Sequence, residues 1–103
     1  MNSQIFNEIQ ALKRQILPNE KVILFGSQAR GDARESSDWD LLVLLNKDSM
    51  NLDDEIKYAY PLAKLGWAHN MDFNVLLYTL SEWEKRSFMP FFKNVQQDGI
   101  EIN

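Results

Sequence analysis

Short apolar runs separated by polar turns recur along the chain and predict the strands of a small sheet. Three runs cover residues 21–25, 39–45 and 71–78, and only Asp72 and Asn74 interrupt the third. Runs of this length, bounded by turn residues, are typical of buried strands. The chain therefore has three predicted strands, and residues 100–102 form either a short edge strand or a tail.

Helical periodicity fills the segments around these strands. The first predicted helix has an apolar face that repeats every three or four residues and stops before Pro18. Its apolar positions are Ile5, Ile9, Leu12 and Ile16. A second helix is predicted from Asn51 to Gly66, with a kink near Tyr60 because Pro61 removes one backbone hydrogen bond. Its apolar positions are Leu52, Ile56, Ala59 and Ala63.

Two further helices are predicted near the C-terminus. Ser81 and Glu84 have the spacing of a capping box, which indicates a helix running to about Phe88. Pro90 suits the first turn of another helix, and Gly99 ends it.

The alternation of strands and helices predicts an α/β (α+β) fold, a sheet covered by helices on at least one side. The length of 103 residues leaves room for one domain, residues 1–103, and 45% hydrophobic content is enough for one small core. A second catalytic or substrate-binding domain does not fit within this length.

The charge and the cysteine count narrow the classes of partner. Fifteen acidic against eleven basic residues give a net charge of −4, which weighs against a long nucleic acid as the main partner. There are no cysteines, and no segment has the apolar length of a signal peptide or of a membrane span. We therefore expect a cytoplasmic protein with no membrane partner. The oligomeric state stays open, and a homo-oligomer is compatible with the sequence.

Residues 25–43 contain the candidate chemistry. Gly26 and Ser27 break the chain directly after the first apolar run, and Gln28, Ala29 and Arg30 look like the start of a short helix. Because a helix start presents unpaired backbone N–H groups and the positive end of a dipole, an anion such as a phosphate is favoured there.

Two aspartates stand at the head of the second apolar run. Asp38 and Asp40 are two residues apart, so on a strand their side chains point to the same face. Neighbouring carboxylates repel each other unless a cation or a proton joins them, and hard divalent ions take oxygen ligands of this kind. Trp39 between them must then face away from the carboxylates, into the core.

The order of these features resembles a known signature. Gly26-Ser27-Gln28-Ala29-Arg30-Gly31, followed after five residues by Ser37-Asp38-Trp39-Asp40-Leu41-Leu42-Val43, resembles the polymerase-beta-like nucleotidyltransferases and in particular the minimal nucleotidyltransferases. Members of that group pair with HEPN-domain proteins in toxin–antitoxin modules. The signature covers less than a fifth of the chain, but its parts in this order are far more specific than any one of them.

The resemblance implies a nucleotidyltransferase fold, ATP as substrate and Mg²⁺ as cofactor, with two ions. It implies that Asp38 and Asp40 hold the metals and that Gly26 and Ser27 bind the triphosphate. Arg30 is then a phosphate ligand, or closes a salt bridge to Asp38 or Asp40 in the empty protein. Ser37 is a further candidate for nucleotide binding.

Asp72 is the candidate for a third catalytic and metal-binding carboxylate. It is the only carboxylate in the third apolar run, where an unpaired charge is costly to bury, so it should lie at a strand end. In the family that the motif resembles, a later strand supplies such an aspartate to the metal at the acceptor hydroxyl.

Each of these sites also has a purely structural interpretation. Asp38 and Asp40 could belong to a solvated turn, Gly26 and Ser27 could form an ordinary helix cap, and Asp72 could be a strand-edge aspartate. His69 is the only histidine, and a loop histidine without a partner motif is more often structural or solvated than catalytic.

Three functions are compatible with these features. The first is a metal-dependent nucleotidyltransferase that moves a nucleoside monophosphate, AMP from ATP, to a hydroxyl of a partner protein. By resemblance, that partner is a HEPN toxin and the chain is its antitoxin. The second is a binding module that neutralises its partner by contact, without catalysis. The third, an antibiotic nucleotidyltransferase, needs an extra domain or dimer cleft to hold the drug, which disfavours it.

Overall fold

Within residues 1–34 and 37–103, the strands β1 (Lys21–Phe25), β2 (Trp39–Leu45), β3 (Phe73–Thr79) and β4 (Ile100–Ile102) form one mixed sheet in the order β3-β2-β1-β4. The computed structural model describes residues 1–34 and 37–103, so part of the predicted connection 32–37 lies outside the described residues. β1 pairs antiparallel with β2 and with β4, whereas β2 pairs parallel with β3. The three predicted strands are confirmed, and the segment 100–102 is an edge strand.

In the part of the chain that the structure describes, five α-helices and one π-helical turn surround the sheet. The helices are α1 (Ser3–Ile16), α2 (Gly26–Arg30), α3 (Tyr60–Ala68), α4 (Leu80–Lys85) and α5 (Pro90–Asp98). The π-helical turn, Glu55–Ala59, runs directly into α3, whose first turn contains Pro61. Near Tyr60, where a kink was predicted, the structure has the junction of this π-helical turn with α3. None of the helices in the described ranges is long and apolar enough to cross a membrane.

Both faces of the sheet carry a hydrophobic cluster, because β2 is buried on both sides. Trp39, Leu41, Val43 and Leu45 pack on the side of α1 and α3. Leu42 and Leu44 pack on the other side, against Trp83 of α4 and Val95 of α5. The alternation of side chains along β2 therefore places Asp40 on the α4 and α5 side, and Trp39 on the opposite side.

The capping box of α4 differs from the predicted one. Thr79 Oγ1 accepts from the Glu82 N–H at 3.1 Å, and Glu82 Oε1 accepts from the Thr79 N–H at 2.9 Å. The pattern Ser/Thr-x-x-Glu occurs twice here, at Thr79–Glu82 and at Ser81–Glu84. Because β3 ends at Thr79, the helix uses the first of these pairs. The Thr79 N–H also lowers the pKa of Glu82. The helix ends at Lys85, so its prediction to Phe88 was wrong.

The segment 51–66 also departs from its prediction. Leu52 and Ile56 are exposed, at 101% and 70%, although their spacing suggested a buried face. Gly66 lies inside α3 instead of ending it, and a Cβ there would stand 2.8 Å from the Phe73 ring. The glycine is therefore needed for close packing of α3 on β3.

The loop between β2 and the π-helical turn closes around a buried carboxylate. Asp54 is 1% exposed, accepts from the Asn51 N–H at 2.7 Å and pairs with Lys47 at 3.0 Å. The Asn51 N–H and the Lys47 ammonium lower the pKa of Asp54, against the effect of its burial. The Asn51 backbone thus stabilises the loop, and the π-helical turn begins at Glu55, directly after Asp54.

Candidate active site

Asp38 and Asp40 stand at the beginning of β2. Asp38 immediately precedes the strand and is exposed, while Asp40 is its second residue and is half-buried. Trp39 between them is fully buried on the other face, with its ring centroid 6.0 Å from that of Phe73. The core position predicted for Trp39 is confirmed. It anchors the strand so that both neighbouring carboxylates point away from the core of α1 and α3.

The turn after β1 lies against Asp40. Phe25, the last residue of β1, is paired with Asp40 in the sheet, and Gly26 follows it as the first residue of α2. Gly26 has φ +74°, and a Cβ on it would overlap Asp40 Oδ2 and stand 3.2 Å from Asp40 Cγ. Glycine is needed at this position for both reasons, since other residues rarely adopt this φ. The carboxylate and the turn are thus in direct contact.

Asn74 joins the two aspartates. Its Nδ2 group donates to Asp40 Oδ1 at 2.9 Å and to Asp38 Oδ2 at 3.4 Å. The contact follows from the parallel register of β2 and β3, which places Asn74 opposite Asp40. Sequence reasoning missed Asn74. The signal that could have indicated it is its position two residues after Asp72 in an apolar strand, which puts both side chains on one face.

Asp72 lies just before β3, beside Asp38. The Trp39 N–H donates to the Asp72 carbonyl at 3.4 Å, so the pairing of the two chains extends to this residue. Asp72 is exposed and lines the same cleft as Asp38. In residues 1–34 and 37–103, however, no three carboxylate or imidazole side chains form a ready-made metal cluster. The catalytic role of Asp72 stays a prediction.

Ser27 and Arg30 lie on α2, on the other side of Asp40. Both line a small cleft of about 400 Å³ together with Gly26 and Asp40. Arg30 pairs with Asp32 at 3.3 Å, and both side chains are largely exposed. The salt bridge of Arg30 to Asp38 or Asp40, considered above, is therefore absent from the described residues.

Ser37 supports the segment before β2. Its Oγ accepts from the Arg34 N–H at 2.8 Å, and its carbonyl accepts from Gln28 Nε2 at 3.1 Å. Gln28 is buried at 5% exposure, so this bond attaches α2 to the approach to Asp38. Ser37 also lines the larger of the two clefts, and its predicted contact with the nucleotide stays a prediction.

The carboxylate pair lies between two clefts. Asp40 borders the small cleft next to the Gly26 turn, while Asp38 and Asp72 border a larger one of about 830 Å³. His69 also lines the larger cleft, where its Nε2 lies 2.9 Å from Glu8 Oε2 of α1. This pairing agrees with the structural role expected for His69. The two clefts could hold two different reactants on either side of Asp38 and Asp40.

The donor set fits a divalent cation. Asp38 and Asp40 present two carboxylates on one surface, and an amide N–H₂ group now links an oxygen of each. Mg²⁺ is commonly bound by one or two carboxylates, with water and substrate phosphates completing its six ligands. A pair of carboxylates beside a turn suited to phosphate meets this requirement, whereas a cluster of three is not needed.

Comparisons with known proteins bear on this arrangement. The family model described as "Nucleotidyltransferase domain" matches residues 4–98. The chain belongs to the nucleotidyltransferase family. Membership in this family makes the chain a nucleotidyltransferase by enzyme class. The resemblance to nucleotidyltransferases seen in residues 26–43 is confirmed.

Relatives of this nucleotidyltransferase agree with the assignment. The chain is 31% identical over 83 residues to a protein of Methanocaldococcus jannaschii named "Putative protein adenylyltransferase", covering 81% of this chain and 78% of that protein.

Solved structures show the same fold. A toxin-antitoxin crystal structure with AMP-PNP superposes with a TM-score of 0.62 at 24% identity, covering 95% of this chain and 72% of that one. The toxin-antitoxin MntA-HepT superposes with a TM-score of 0.58 at 20% identity, covering 99% and 72%. The predicted nucleotidyltransferase fold, a small mixed sheet with helices packed on it, is confirmed.

Proposed function

We propose that this nucleotidyltransferase moves AMP from ATP to a hydroxyl group of a partner protein, with Mg²⁺ as cofactor. The observation that carries the proposal is the contact between Gly26 and Asp40, which joins a turn suited to phosphate to a carboxylate suited to metal. The M. jannaschii relative is named as an adenylyltransferase of proteins, which supports both the AMP group and the protein acceptor.

The nucleotide belongs in the small cleft. Gly26 and Ser27 offer backbone N–H groups and a hydroxyl to the triphosphate, and Arg30 lies one helical turn further on. The ion pair of Arg30 with Asp32 is exposed and therefore of little energy, so the guanidinium can turn to a phosphate instead. Ser37 is proposed to contact the nucleotide from the other side of the aspartates.

The metals belong to Asp38 and Asp40, and we propose two ions, with Asp72 as a ligand of the one on the acceptor side. Bound there, Mg²⁺ would offset the charge that develops on the phosphates and lower the pKa of the attacking hydroxyl. Asp38 and Asp40 would hold these ions, and oxygens of the triphosphate would complete their coordination.

The acceptor hydroxyl enters from the larger cleft, which Asp38 and Asp72 line. Its oxygen bonds to the α-phosphorus while the bond from that phosphorus to the bridging oxygen breaks, and pyrophosphate leaves. The hydroxyl proton passes to Asp72 or to water. The protein contributes mainly by aligning the two reactants across the carboxylate pair and by holding charge there.

The partner is proposed to be a HEPN-domain toxin in the cytoplasm, with this chain as its antitoxin. The solved structures of similar fold are toxin-antitoxin complexes. The chain also has exposed apolar side chains from the loop before the π-helical turn to the end of α3, a surface suited to a protein contact. They are Leu52, Ile56, Tyr60 and Trp67.

A labelled-nucleotide assay tests the proposed reaction. The chain and the protein encoded beside it are incubated with Mg²⁺ and ATP labelled at either the α- or the γ-phosphorus. We expect label on the partner from α-labelled ATP and none from γ-labelled ATP, because the γ-phosphate leaves with pyrophosphate. Transfer from the γ-position alone would contradict the proposal, since it is the result of a kinase.

Neutralisation by contact is the second candidate, and the same exposed apolar side chains favour it. The double variant Asp38→Asn/Asp40→Asn separates the two functions. If catalysis is required, the variant loses both AMP transfer and protection of cells that express the toxin. If the variant still protects fully, contact is sufficient.

A further inference from the structure

Asn74 makes a contact that no motif describes. One side-chain amide group donates a hydrogen bond to each member of the carboxylate pair, at 2.9 Å to Asp40 Oδ1 and 3.4 Å to Asp38 Oδ2. Ionised carboxylates only accept hydrogen bonds, so the nitrogen and not the oxygen of the amide must face them. Both hydrogens of the group are thereby used on the two aspartates.

These hydrogen bonds address an electrostatic problem. Two carboxylates this close repel each other, and a cation would normally offset the repulsion. Within residues 1–34 and 37–103, the salt bridges include no lysine, arginine or histidine paired with Asp38 or Asp40. The partial positive charge on the Asn74 N–H₂ group therefore offsets part of the repulsion between the two carboxylates.

We propose that Asn74 occupies the place of the metal between Asp38 and Asp40 and competes with it, and that its two hydrogen bonds are given up when a divalent cation binds. The inference rests on the proposed metal-binding role of the two aspartates. A cation placed between Asp38 Oδ2 and Asp40 Oδ1 would meet the Asn74 amide group, whose positive end would repel it. Binding of the metal therefore competes with Asn74.

Because Asn74 competes with the metal, removing its side chain should change the metal affinity in one definite direction. An interaction made only in the metal-free protein stabilises that state, and its removal must strengthen metal binding by the same factor. If Asn74 only held the two carboxylates in the orientation that binds metal, its removal would weaken metal binding, because the carboxylates would lose that orientation. The sign of the change in affinity thus distinguishes a competitor from a support.

The test is a calorimetric titration of the nucleotide-free chain with Mn²⁺, comparing the wild type with Asn74→Ala. We expect the variant to bind Mn²⁺ roughly tenfold more tightly, a change of about 1.4 kcal/mol, and to melt at a lower temperature without metal. Asn46→Ala is the matched control, because Asn46 is also exposed but follows the other end of β2. Its Mn²⁺ affinity should equal that of the wild type.

A second readout follows Asn74 directly. In the nitrogen NMR spectrum, the side-chain amide signal that is missing from Asn74→Ala is assigned to Asn74, and its shift is followed as Mg²⁺ is added to the wild type. We expect this signal to move with saturation of the metal site. Equal or weaker Mn²⁺ binding by Asn74→Ala, or an Asn74 signal that Mg²⁺ leaves in place, would overturn the inference.

The metal site and the role of Asn74 can be tested separately. If the wild type binds Mn²⁺ and Asp38→Asn/Asp40→Asn does not, the metal site stands, and the result for Asn74→Ala decides the inference alone. If the wild type and the double variant bind Mn²⁺ equally, the proposed metal ligands and the role of Asn74 are both wrong.

Discussion

Gly26→Ala should reduce AMP transfer at least about 100-fold, the loss expected when a catalytic group is displaced by about 1 Å. The added Cβ would overlap Asp40 Oδ2, so either the turn or the carboxylate must move. Because Asp40 also bonds to Asn74, its displacement disturbs the whole carboxylate pair. Transfer of label from α-labelled ATP to the partner protein measures the effect.

Gly31→Ala is the control for backbone strain. Gly31 has φ +81°, close to the +74° of Gly26, but a Cβ on it would meet nothing within 4 Å. Both variants should lose about 1–2 kcal/mol of stability for the left-handed backbone, measured by urea unfolding. After correction for the fraction of folded protein, only Gly26→Ala should transfer AMP more slowly than the wild type. Equal activity in the two variants would show that the contact with Asp40 is unimportant.

Asp40→Asn should reduce transfer about 1,000-fold, comparable to the loss of a principal group that stabilises charge in a transition state. The amide has the shape of the carboxylate but not its charge, so the metal loses an anionic ligand while the fold is kept. Asp38→Asn should behave similarly. The rate is measured with α-labelled ATP under saturating Mg²⁺, and melting curves without metal report the fold.

Asp48→Asn is the matched control, since Asp48 is an exposed aspartate beyond the other end of β2. It should transfer AMP at the rate of the wild type. Removing one of two neighbouring like charges should not lower the metal-free melting temperature of Asp40→Asn. A variant that melts normally and still transfers AMP at the wild-type rate would exclude Asp40 from the metal site.

Local rules were sufficient for part of this site. The break at Gly26 after an apolar run predicted a turn into a helix, and the spacing of Asp38 and Asp40 predicted two carboxylates on one face. Both depend on residues adjacent in sequence. The buried position of Trp39 followed from the same alternation.

Contacts between distant segments could not be predicted in the same way. Asn74 faces Asp40 because β2 and β3 pair in parallel with one particular register. The alternation within a strand shows which of its side chains share a face, but not which residue of the neighbouring strand lies opposite each one. The same applies to the α4 cap, where two frames satisfied the pattern and the end of β3 chose between them. Periodicity gave Leu52 and Ile56 a common face, but it could not say whether anything in the chain covers that face.

A crystal structure with Mn²⁺ and a non-hydrolysable ATP analogue is the decisive test of the proposed metal and nucleotide sites, because the anomalous signal locates the metal independently of any assumption about them. We expect Mn²⁺ on the carboxylates of Asp38 and Asp40, the triphosphate on Gly26 and Ser27, and Asn74 withdrawn from both carboxylates. Nucleotide bound away from the Gly26 turn, or a metal that leaves Asp38 and Asp40 untouched, would contradict it.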